Sequence, residues 1–374
     1  MDHLEASQTL HEQAHSRSES DMVVNTKPTV SVSVVIPCYN EEQFILDVLQ
    51  NLSGQFDHGS YEILVVDGRS TDNTRQVVLE FAQCNPRLSV RIIDNPARNI
   101  PSALNLGIGA ATGEIIVRMD AHSVPSSGYV RRCVELLTSG EISVVGMPWL
   151  IKPGKPTLVA RAIAAAVAHP FGIGDAKYRL KVSEPQFVDT VPFGAFNKNL
   201  WKELGGFNEE LLTNEDYDFN YRVRSRGGQV LLDSAEHSDY FARSTLSDLA
   251  AQYSRYGLWK TQMVKLHPRS VRLRHLVAPA LVLSIFITAM AGLLWNFALW
   301  LLALLLVSYL SLSLFAGWQA SRRSNLGFAG ILVMPVVFAT IHFSWGASFI
   351  IGLFRTRKSC DPSDRSDNNP QADG

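Results

Sequence analysis

The feature that most constrains this chain is a long uncharged stretch in its last quarter. From Leu276 to Trp318, about 43 residues contain no Lys, Arg, Asp or Glu, and Leu326–Phe354 adds about 29 more. A helix of roughly 20 apolar residues crosses the hydrocarbon core of a bilayer, and soluble cores do not hold uncharged segments of this length. We therefore predict a transmembrane region over 276–354 with about three spans, at 276–294, 297–318 and 327–354.

Basic residues flank these spans and predict their orientation. Four lie before the first span and two follow the second: Lys265, Arg269, Arg272, Arg274, Arg322 and Arg323. If the first two spans form a hairpin, both groups lie on one side, which the excess of Lys and Arg marks as cytoplasmic. We therefore expect a multi-pass protein of the cell (inner) membrane whose globular unit, residues 29–250, lies on the cytoplasmic side. A third full span would place the basic residues within 355–358 outside, whereas a re-entrant pair around Pro335 would keep them inside, and both topologies remain open.

The preceding residues 29–250 alternate between short β-branched runs and segments of helical spacing. Five runs are predicted as strands: Val30–Ile36, Tyr61–Val66, Ser89–Ile93, Glu114–Met119 and Ser143–Met147. This alternation predicts an α/β, Rossmann-like unit with a mostly parallel sheet, in which ligands bind beyond the carboxyl ends of the strands. Residues 251–275 are predicted as an interfacial amphipathic and basic segment. Residues 1–28, which lack the apolar core of a secretory signal, are predicted as a disordered tail, and 355–374 as a polar tail.

Composition excludes several functional classes. The 34 Lys and Arg residues are balanced by 35 Asp and Glu residues, so no basic surface for nucleic acid is expected. The four cysteines lie far apart without CxxC spacing, which favours a reducing compartment over a disulfide framework or a zinc site. No GxGxxG follows a strand and no GxxxxGK[ST] occurs, which argues against dinucleotide oxidoreductases and P-loop phosphotransferases.

Polar side chains follow the predicted strands. Tyr39 offers a stacking surface and Glu41 a hydrogen-bond acceptor after the first strand, and Asp67 follows the second. Asp120 and His122 follow the fourth strand at positions i and i+2, where both could ligate a divalent cation that bridges phosphate oxygens. Each motif alone also fits a turn or a helix cap, so only their combination indicates a binding site.

Two later segments add candidates. Glu215 and Asp216 open a predicted helix, where acids complement the helix dipole or, at the edge of a pocket, serve as a general base. Gln252 and Arg255 lie about one helical turn apart beside Tyr256. Arg could hold a diphosphate through two hydrogen bonds, or the segment could be an amphipathic stretch at the membrane surface.

Five segments, in this order and spacing, resemble the inverting glycosyltransferases of family 2, which have the GT-A fold: PCYNEE, VVDGRSTDNT, ALNLGIGAATGEIIVRMDAH, GGFNEELLTNEDYDFNYRVRSRG and QYSRY. The resemblance covers roughly residues 30–260. With the membrane region that follows, the DGRS and MDAH variants are most similar to succinoglycan-type exopolysaccharide glucosyltransferases of bacteria. The resemblance implies a GT-A nucleotide-diphospho-sugar transferase domain followed by C-terminal transmembrane helices.

The resemblance also implies roles for residues on the donor side. Pro37, Tyr39 and Glu41 would cradle the nucleotide base. Asp67 would contact the base, and Arg98 is a weaker match to a basic residue that meets the diphosphate. Family members usually carry a second acid directly after the residue that matches Asp67, and in this sequence that position is glycine.

Further roles are implied around the reacting groups. Asp120 would bind Mn²⁺ or Mg²⁺ together with the donor diphosphate. His122 replaces the last Asp of the DxD motif, which leaves the identity of the metal open. Asp216 would be the general base, with Glu215 as the other member of the ED pair. The QxxRW motif of membrane-embedded synthases is matched with Tyr in place of Trp, by Gln252, Arg255 and Tyr256.

The implied reaction transfers a sugar from a nucleotide-diphosphate donor, with UDP-glucose suggested, to a lipid-linked saccharide in exopolysaccharide or cell-surface glycan biosynthesis. Other polysaccharide-assembly proteins are possible partners. We expect addition of a single sugar, because about three spans are few for an export channel. A processive polysaccharide synthase and a non-catalytic glycosyltransferase-like membrane scaffold are the alternatives. All of this requires Asp67, Asp120 and Asp216 to converge on one crevice at one edge of the sheet.

Overall fold

The computed structural model of the chain describes residues 30–56 and 61–355. The strands within these ranges are β1 (Val32–Cys38), β2 (Tyr61–Asp67), β3 (Ser89–Asp94), β4 (Ile115–Arg118), β5 (Val124–Pro125), β6 (Val144–Gly146), β7 (Trp149–Pro153), β8 (Gln186–Phe187), β9 (Ala195–Asn197), β10 (Val230–Leu232) and β11 (Ser238–Ala242). Eight of them form the main sheet in the order β3-β2-β1-β4-β9-β6-β10-β8, and the others form a small sheet in the order β5-β11-β7. The predicted tails at 1–28 and beyond residue 355 lie outside the described residues.

Twelve α-helices occur in the described chain. Those that flank the sheets are α1 (Ile45–Leu52), α2 (Thr74–Cys84), α3 (Ile100–Ala110), α4 (Tyr129–Thr138), α5 (Leu158–Ala166), α6 (Pro170–Ile173), α7 (Lys198–Leu204) and α8 (Glu215–Ser225). A long helix follows, and after it come three long apolar helices: α9 (Leu246–Leu266), α10 (Arg274–Gly292), α11 (Asn296–Arg323) and α12 (Gly327–Phe354). Two short 3₁₀ helices lie at Lys177–Arg179 and Pro268–Ser270.

The five predicted strands are confirmed as β1, β2, β3, β4 and β6, each within two residues of its predicted bounds. β1, β2, β3 and β4 pair in parallel, with Val35 opposite Leu64 and Val34 opposite Val117. β2 and β4 are buried along their whole length, and so is almost all of β1. Their β-branched residues explain this position, because parallel strands covered on both faces are nearly continuous apolar runs.

Two strands of the main sheet run against their neighbours: β8 is antiparallel to β10 at the edge, and β9 is antiparallel within the sheet. β9 lies between β4 and β6 and is antiparallel to both, with Ala195 paired to Val117 and to Val145. The sheet is therefore mostly parallel, as predicted, but its central antiparallel strand was not predicted. A strand of three residues is too short to show the alternation on which strand prediction depends.

The last three helices match the predicted spans closely. Each of α10, α11 and α12 is long and apolar enough to cross a membrane. Many of their apolar side chains face outward, as at Phe286, Trp300 and Leu304, which are 60–75% exposed. Pro335 lies inside the continuous helix α12, so within the described residues the last apolar segment is one long helix and not a re-entrant pair.

α9 joins the sheet-bearing part of the chain to these helices. It packs along α12, where a Cβ added at Gly257 would lie 2.4 Å from the Trp345 carbonyl oxygen, and one added at Gly352 would lie 2.2 Å from Thr261 Oγ1. Glycine at these points lets the two helix backbones approach closely. α9 begins at Leu246, so the predicted domain boundary at residue 250 falls inside this helix.

The same substitution in two helices should have opposite effects on stability. Gly257→Ala places a methyl group against the backbone of α12 and should lower the free energy of unfolding by about 1–3 kcal/mol. Gly109→Ala in α3 meets no atom within 4 Å and should raise it by about 0.5–1 kcal/mol through helix propensity. Thermal unfolding of the purified chain in detergent measures both. Equal midpoints for the two variants would contradict the close packing of α9 on α12.

Candidate active site

The carboxyl ends of β1 and β2 hold the first group of predicted site residues. A Cβ added at Gly68 would lie 3.3 Å from Tyr39 Cδ2, so the missing side chain lets the tyrosine ring lie against this loop. The guanidinium carbon of Arg98 is 5.9 Å from the centre of the same ring. The structure therefore brings Tyr39 and Arg98 to the loop that follows Asp67, beside Pro37 near the end of β1.

The Asp67 side chain is 1% exposed, and its hydrogen bonds are made within the protein. It accepts a hydrogen bond from the Ser70 hydroxyl at 2.5 Å and one from Arg75 Nη1 at 2.8 Å. Asp67 therefore stabilises its own loop. It lies at the expected edge of the sheet but does not line the large cavity that contains Asp120 and Asp216.

Glu41 contacts His122 across the ends of β1 and β4. Their side chains are 7% and 17% exposed, and Glu41 Oε1 lies 3.0 Å from His122 Nδ1. Burial alone would lower the pKa of the imidazole, but the Glu41 carboxylate outweighs burial, and the pKa of His122 is raised above its usual value. The contact fixes the orientation of the ring, with Nδ1 toward Glu41.

A buried arginine, which the sequence analysis missed, links Asp120 to Glu215. Arg118 ends β4, and its Nη1 lies 2.9 Å from Glu215 Oε1 while its Nη2 lies 3.4 Å from Asp120 Oδ1. Nε and Nη1 are not aligned with any hydrogen-bond acceptor among the described residues, so the contact with Glu215 is a close ion pair without good hydrogen-bond geometry. The only signal in the sequence was one charged residue at the end of an apolar strand.

The two acids that open α8 have different surroundings. Glu215 is 5% exposed and paired with Arg118, whereas Asp216 makes no ion pair within the described chain and accepts a hydrogen bond from the Tyr217 backbone N–H at 2.7 Å. Burial raises the pKa of Glu215 to about 7, although Arg118 lowers it. Burial also raises the pKa of Asp216, again against the influence of Arg118.

A cavity of about 680 Å³ connects these groups to the apolar helices. Among the predicted site residues, six line it: Asp120, Glu215, Asp216, Gln252, Arg255 and Tyr256. Six others lie outside its lining: Pro37, Tyr39, Glu41, Asp67, Arg98 and His122. The predicted residues therefore fall into two groups, one along the cavity and one at or after the carboxyl ends of the parallel strands β1 to β4. Of the cavity group, Asp120 also follows β4, whereas the other five residues belong to α8 and α9.

α9 supplies one wall of the cavity. Thr245 caps its N-terminus by accepting a hydrogen bond from the Asp248 backbone N–H. Gln252 is 5% exposed and donates a hydrogen bond from Nε2 to the Tyr240 hydroxyl at 3.2 Å. The segment predicted as interfacial is therefore packed into the protein at Gln252, while Arg255 and Tyr256 lie beside the same cavity.

Strained backbone is concentrated at the site. The described chain has six residues other than glycine with positive φ, and five of them lie in loops at or beside the predicted site: Asn40, Arg69, Arg98, Phe193 and Asn214. Such conformations cost free energy and persist where the surrounding structure holds them. Asn214 (φ 72°) directly precedes Glu215 and so sets the direction in which α8 begins.

Asp120 and His122 are the two predicted metal ligands, and by themselves they could hold a divalent cation only with further ligands from a substrate. No group of three or more His, Cys, Asp or Glu side chains that could hold a metal occurs in residues 30–56 and 61–355. Asp120 can supply an oxygen at the cavity, and the Glu41 contact at Nδ1 leaves Nε2 of His122 as the free ring nitrogen. A carboxylate behind a ligating histidine is a common arrangement, and Mg²⁺ sites often use one or two protein ligands with substrate phosphates.

The raised pKa of Glu215 predicts a pH-dependent stability. The pKa of Glu215 is about 7 in the folded state against 4.5 for an ordinary Glu, so folding favours the neutral carboxyl. The contribution of Glu215 to the free energy of unfolding is therefore complete below about pH 4.5 and is lost as the pH rises toward 7. Glu215→Gln should therefore lose less free energy of unfolding between pH 5 and 7 than the wild type, by about 2 kcal/mol. Denaturant titrations at several pH values measure this difference. Glu203→Gln, at an exposed residue, is the control. If Glu215→Gln had the same pH profile of stability as the wild type, the raised pKa of Glu215 would be contradicted.

Comparisons with known proteins identify the sheet-bearing part of the chain. Residues 33–205 match the family described as glycosyl transferase family 2. The chain is 27% identical over 239 residues to the dolichyl N-acetyl-alpha-D-glucosaminyl phosphate 3-beta-D-2,3-diacetamido-2,3-dideoxy-beta-D-glucuronosyltransferase of Methanococcus voltae, covering 63% of this chain and 74% of that protein. It is 28% identical over 253 residues to the succinoglycan biosynthesis protein ExoA of Rhizobium meliloti, covering 67% and 74%.

A solved structure supports the fold. The mannosyltransferase of Pyrobaculum calidifontis, in complex with GDP-Man and Mn²⁺, matches with a TM-score of 0.57 at 20% identity, over 93% of this chain and 95% of that one. At this identity the match speaks for the fold alone. Together with the family match and the mostly parallel sheet, it confirms the resemblance drawn from the sequence motifs. The chain carries a glycosyltransferase family 2 domain of the GT-A fold, and it is a glycosyltransferase.

Proposed function

We propose that this protein transfers one sugar from a nucleotide-diphosphate donor to a lipid-linked saccharide at the cytoplasmic face of the cell membrane, with inversion at the anomeric carbon. One observation carries the proposal. A single cavity is lined both by the carboxylates Asp120 and Asp216 and by residues of the membrane-capable helices, such as Leu281 of α10 and Leu305 of α11. Such a cavity can admit a polar donor from one side and a lipid-borne acceptor from the other.

The donor would occupy the edge of the sheet beyond β1, β2 and β4. Tyr39 can stack on a nucleotide base, with Pro37, Glu41 and Asp67 shaping the loops around it. Arg98 beside the ring and Arg255 in the cavity would meet the diphosphate, with Gln252 and Tyr256 on the same wall. The buried Nε–H of Arg118 has no hydrogen-bond acceptor among the described residues, which supports an anionic ligand here.

Asp216 is the better candidate for the general base. Glu215 is bound to Arg118, whereas Asp216 faces the cavity with one backbone hydrogen bond and no ion pair in the described ranges. The raised pKa of Asp216 brings its basicity nearer to working pH, as a general base requires. In the reaction, Asp216 takes the proton of the acceptor hydroxyl, whose oxygen bonds to the anomeric carbon. The bond from that carbon to the diphosphate breaks with its electron pair, so a single displacement inverts configuration.

A divalent cation, Mn²⁺ or Mg²⁺, would be held by Asp120 and His122. When bound, it would supply positive charge that stabilises the leaving diphosphate. The mannosyltransferase that shares the fold has Mn²⁺ in its complex, which supports the proposal of a cation here. Glu41 would orient His122 for this role through the 3.0 Å contact at Nδ1.

The apolar helices and the named relatives support two parts of the proposal, the lipid-linked acceptor and the position in the membrane. The M. voltae relative is named for a dolichyl phosphate-linked substrate and the R. meliloti relative for succinoglycan biosynthesis. The basic residues before α10 and after α11, such as Arg272 and Arg322, favour a cytoplasmic position for the sheet-bearing part. Other polysaccharide-assembly proteins would then act on the same lipid-linked product.

Loss of the base should abolish transfer without loss of donor binding. Asp216→Asn keeps the shape of the side chain but cannot accept the proton, so turnover should fall by about 10²–10⁴-fold. Membranes that contain the variant, labelled UDP-glucose, UDP-galactose or GDP-mannose and a lipid-linked saccharide extract measure transfer and product length. The exposed Asp47→Asn in α1 is the control. Full turnover of Asp216→Asn would remove Asp216 from the base role, and a ladder of products would favour a processive synthase.

The cation site makes a separate prediction. Asp120→Ala should weaken Mn²⁺-dependent binding of the nucleotide diphosphate by about tenfold or more, because one charged ligand is lost. Titration of the nucleotide with and without Mn²⁺ or Mg²⁺, and after chelation by EDTA, measures this dependence. Asp47→Asn serves again as the control. Unchanged affinity of Asp120→Ala in the presence of metal would contradict the site at Asp120.

A further inference from the structure

We propose a second anion-binding site in the cavity, formed by Arg179, Arg243 and Lys260, which binds the phosphate or diphosphate that joins the acceptor saccharide to its lipid. The lipid chain would leave the cavity sideways between α10 and α11. This inference rests on the proposed function, because it names the chemistry of the acceptor for the same cavity.

Arg179 is the centre of the proposed site. Arg179 is 6% exposed. Its guanidinium carbon lies 4.7 Å from the centre of the Trp149 ring, 5.6 Å from that of Tyr178 and 5.4 Å from that of Tyr240. Its side chain makes no hydrogen bond and no ion pair with any residue in 30–56 and 61–355, and it lines the cavity. Aromatic rings attract a cation but do not neutralise its charge. A buried guanidinium without an anionic partner therefore indicates a ligand that carries the negative charge.

Lys260 and Arg243 line the same cavity, Lys260 buried and Arg243 half-buried. Lys260 is 4% exposed and lines the cavity, and its Nζ lies 3.1 Å from the centre of the Tyr217 ring. Neither Lys260 nor Arg243 makes a side-chain hydrogen bond or an ion pair in the described part of the chain. Burial, and then repulsion by Arg274, hold the pKa of Lys260 well below its usual value. A bound anion would reverse that shift, so binding would favour the charged ammonium.

The charges that line the cavity are unequal. Six basic side chains line it against three acidic ones: Arg118, Arg179, Arg243, Arg255, Lys260 and Arg274 against Asp120, Glu215 and Asp216. Because the pKa of Lys260 is lowered, the charge of Lys260 depends on the anion that binds beside it. Arg118 is paired with Glu215, and Arg274 is paired with Asp189 outside the lining. The donor diphosphate would be met by Arg255 and the cation at Asp120. Arg179, Arg243 and Lys260 then remain for a second anion, which the acceptor must bring.

The cavity also has an apolar wall that reaches the outer surface of the helices. Val277 of α10 and Leu312 of α11 both line the cavity, yet they are 60% and 57% exposed. Leu281 and Leu305 line it from the same two helices. Because these helices are long and apolar enough to cross a membrane, this side would face lipid. A long apolar chain could lie between α10 and α11 while its phosphate stays beside Arg179.

Binding without turnover tests this site. The full chain in lipid nanodiscs is titrated with farnesyl diphosphate, farnesol and inorganic pyrophosphate. We expect farnesyl diphosphate to bind at least about tenfold more tightly than farnesol or pyrophosphate, because only farnesyl diphosphate has both an apolar chain and a diphosphate. Arg179→Gln and Lys260→Met should each weaken farnesyl diphosphate by about tenfold or more, as expected for the loss of a charged contact, while UDP and GDP affinities change less than about threefold. Arg131→Gln, an exposed residue of α4, is the matched control.

The possible outcomes separate the alternatives. Equal affinity for farnesol would mean that the cavity accepts a neutral glycolipid, and equal affinity for pyrophosphate would remove the apolar wall from the site. An equal loss of UDP or GDP affinity in Arg179→Gln would make Arg179 a donor residue. Each of these results overturns the proposal. For Arg179→Lys and Arg243→Gln, both the affinity for farnesyl diphosphate and the unfolding midpoint are measured. A loss of affinity at an unchanged midpoint is a loss of binding and not of folding. No turnover is required, so inactivity with every donor would count against the proposed function alone.

Discussion

The buried ion pair between Arg118 and Glu215 is the interaction on which the arrangement of the site depends. Arg118 ends β4 and Glu215 begins α8, and both side chains are 6% exposed. Such a pair contributes little net stability, but loss of one partner leaves a buried charge that costs about 3–5 kcal/mol. Asp120 follows Arg118 by two residues and Asp216 directly follows Glu215. The pair therefore fixes the distance between the side of the cavity that would bind the metal and the side that would take the proton.

α9 lines the cavity and also packs against the apolar helices, so it connects the two. One part of this helix presents Gln252 and Arg255 to the cavity, and a few residues later Gly257 packs against the backbone of α12. A second apolar core lies around this contact and includes residues of α5, α9, α11 and α12, among them Tyr253 and Phe338. Movement of the apolar helices would therefore be transmitted directly to the wall that carries the predicted diphosphate-binding residues. This coupling would suit the lipid-linked acceptor proposed above.

The sequence predicted the parts whose signal is local. Runs such as VSVVIPC and YEILVVD are apolar and rich in β-branched residues, which is typical of buried parallel strands, and the motifs that follow such strands lie at one edge of the sheet. The sequence could not show that the Asp67 carboxylate accepts hydrogen bonds from Ser70 and Arg75, because these bonds depend on the shape of a single loop. Arg118 and Arg179 were missed because their significance comes from burial beside residues distant in sequence. An isolated arginine gives no sign of which rings or carboxylates will surround it.

The surplus of positive charge also has a consequence for the proposed base. Burial raises the pKa of Asp216, while Arg118 and Lys260 lower it. A donor diphosphate in the same cavity would raise it further by repulsion, and a protonated Asp216 could not accept the proton of the acceptor hydroxyl. Cations beside Asp216 oppose this effect when the substrates are bound. The Arg118 guanidinium, and the Lys260 ammonium once a bound anion has favoured its charged form, would therefore help to keep Asp216 ionised when the substrates are bound.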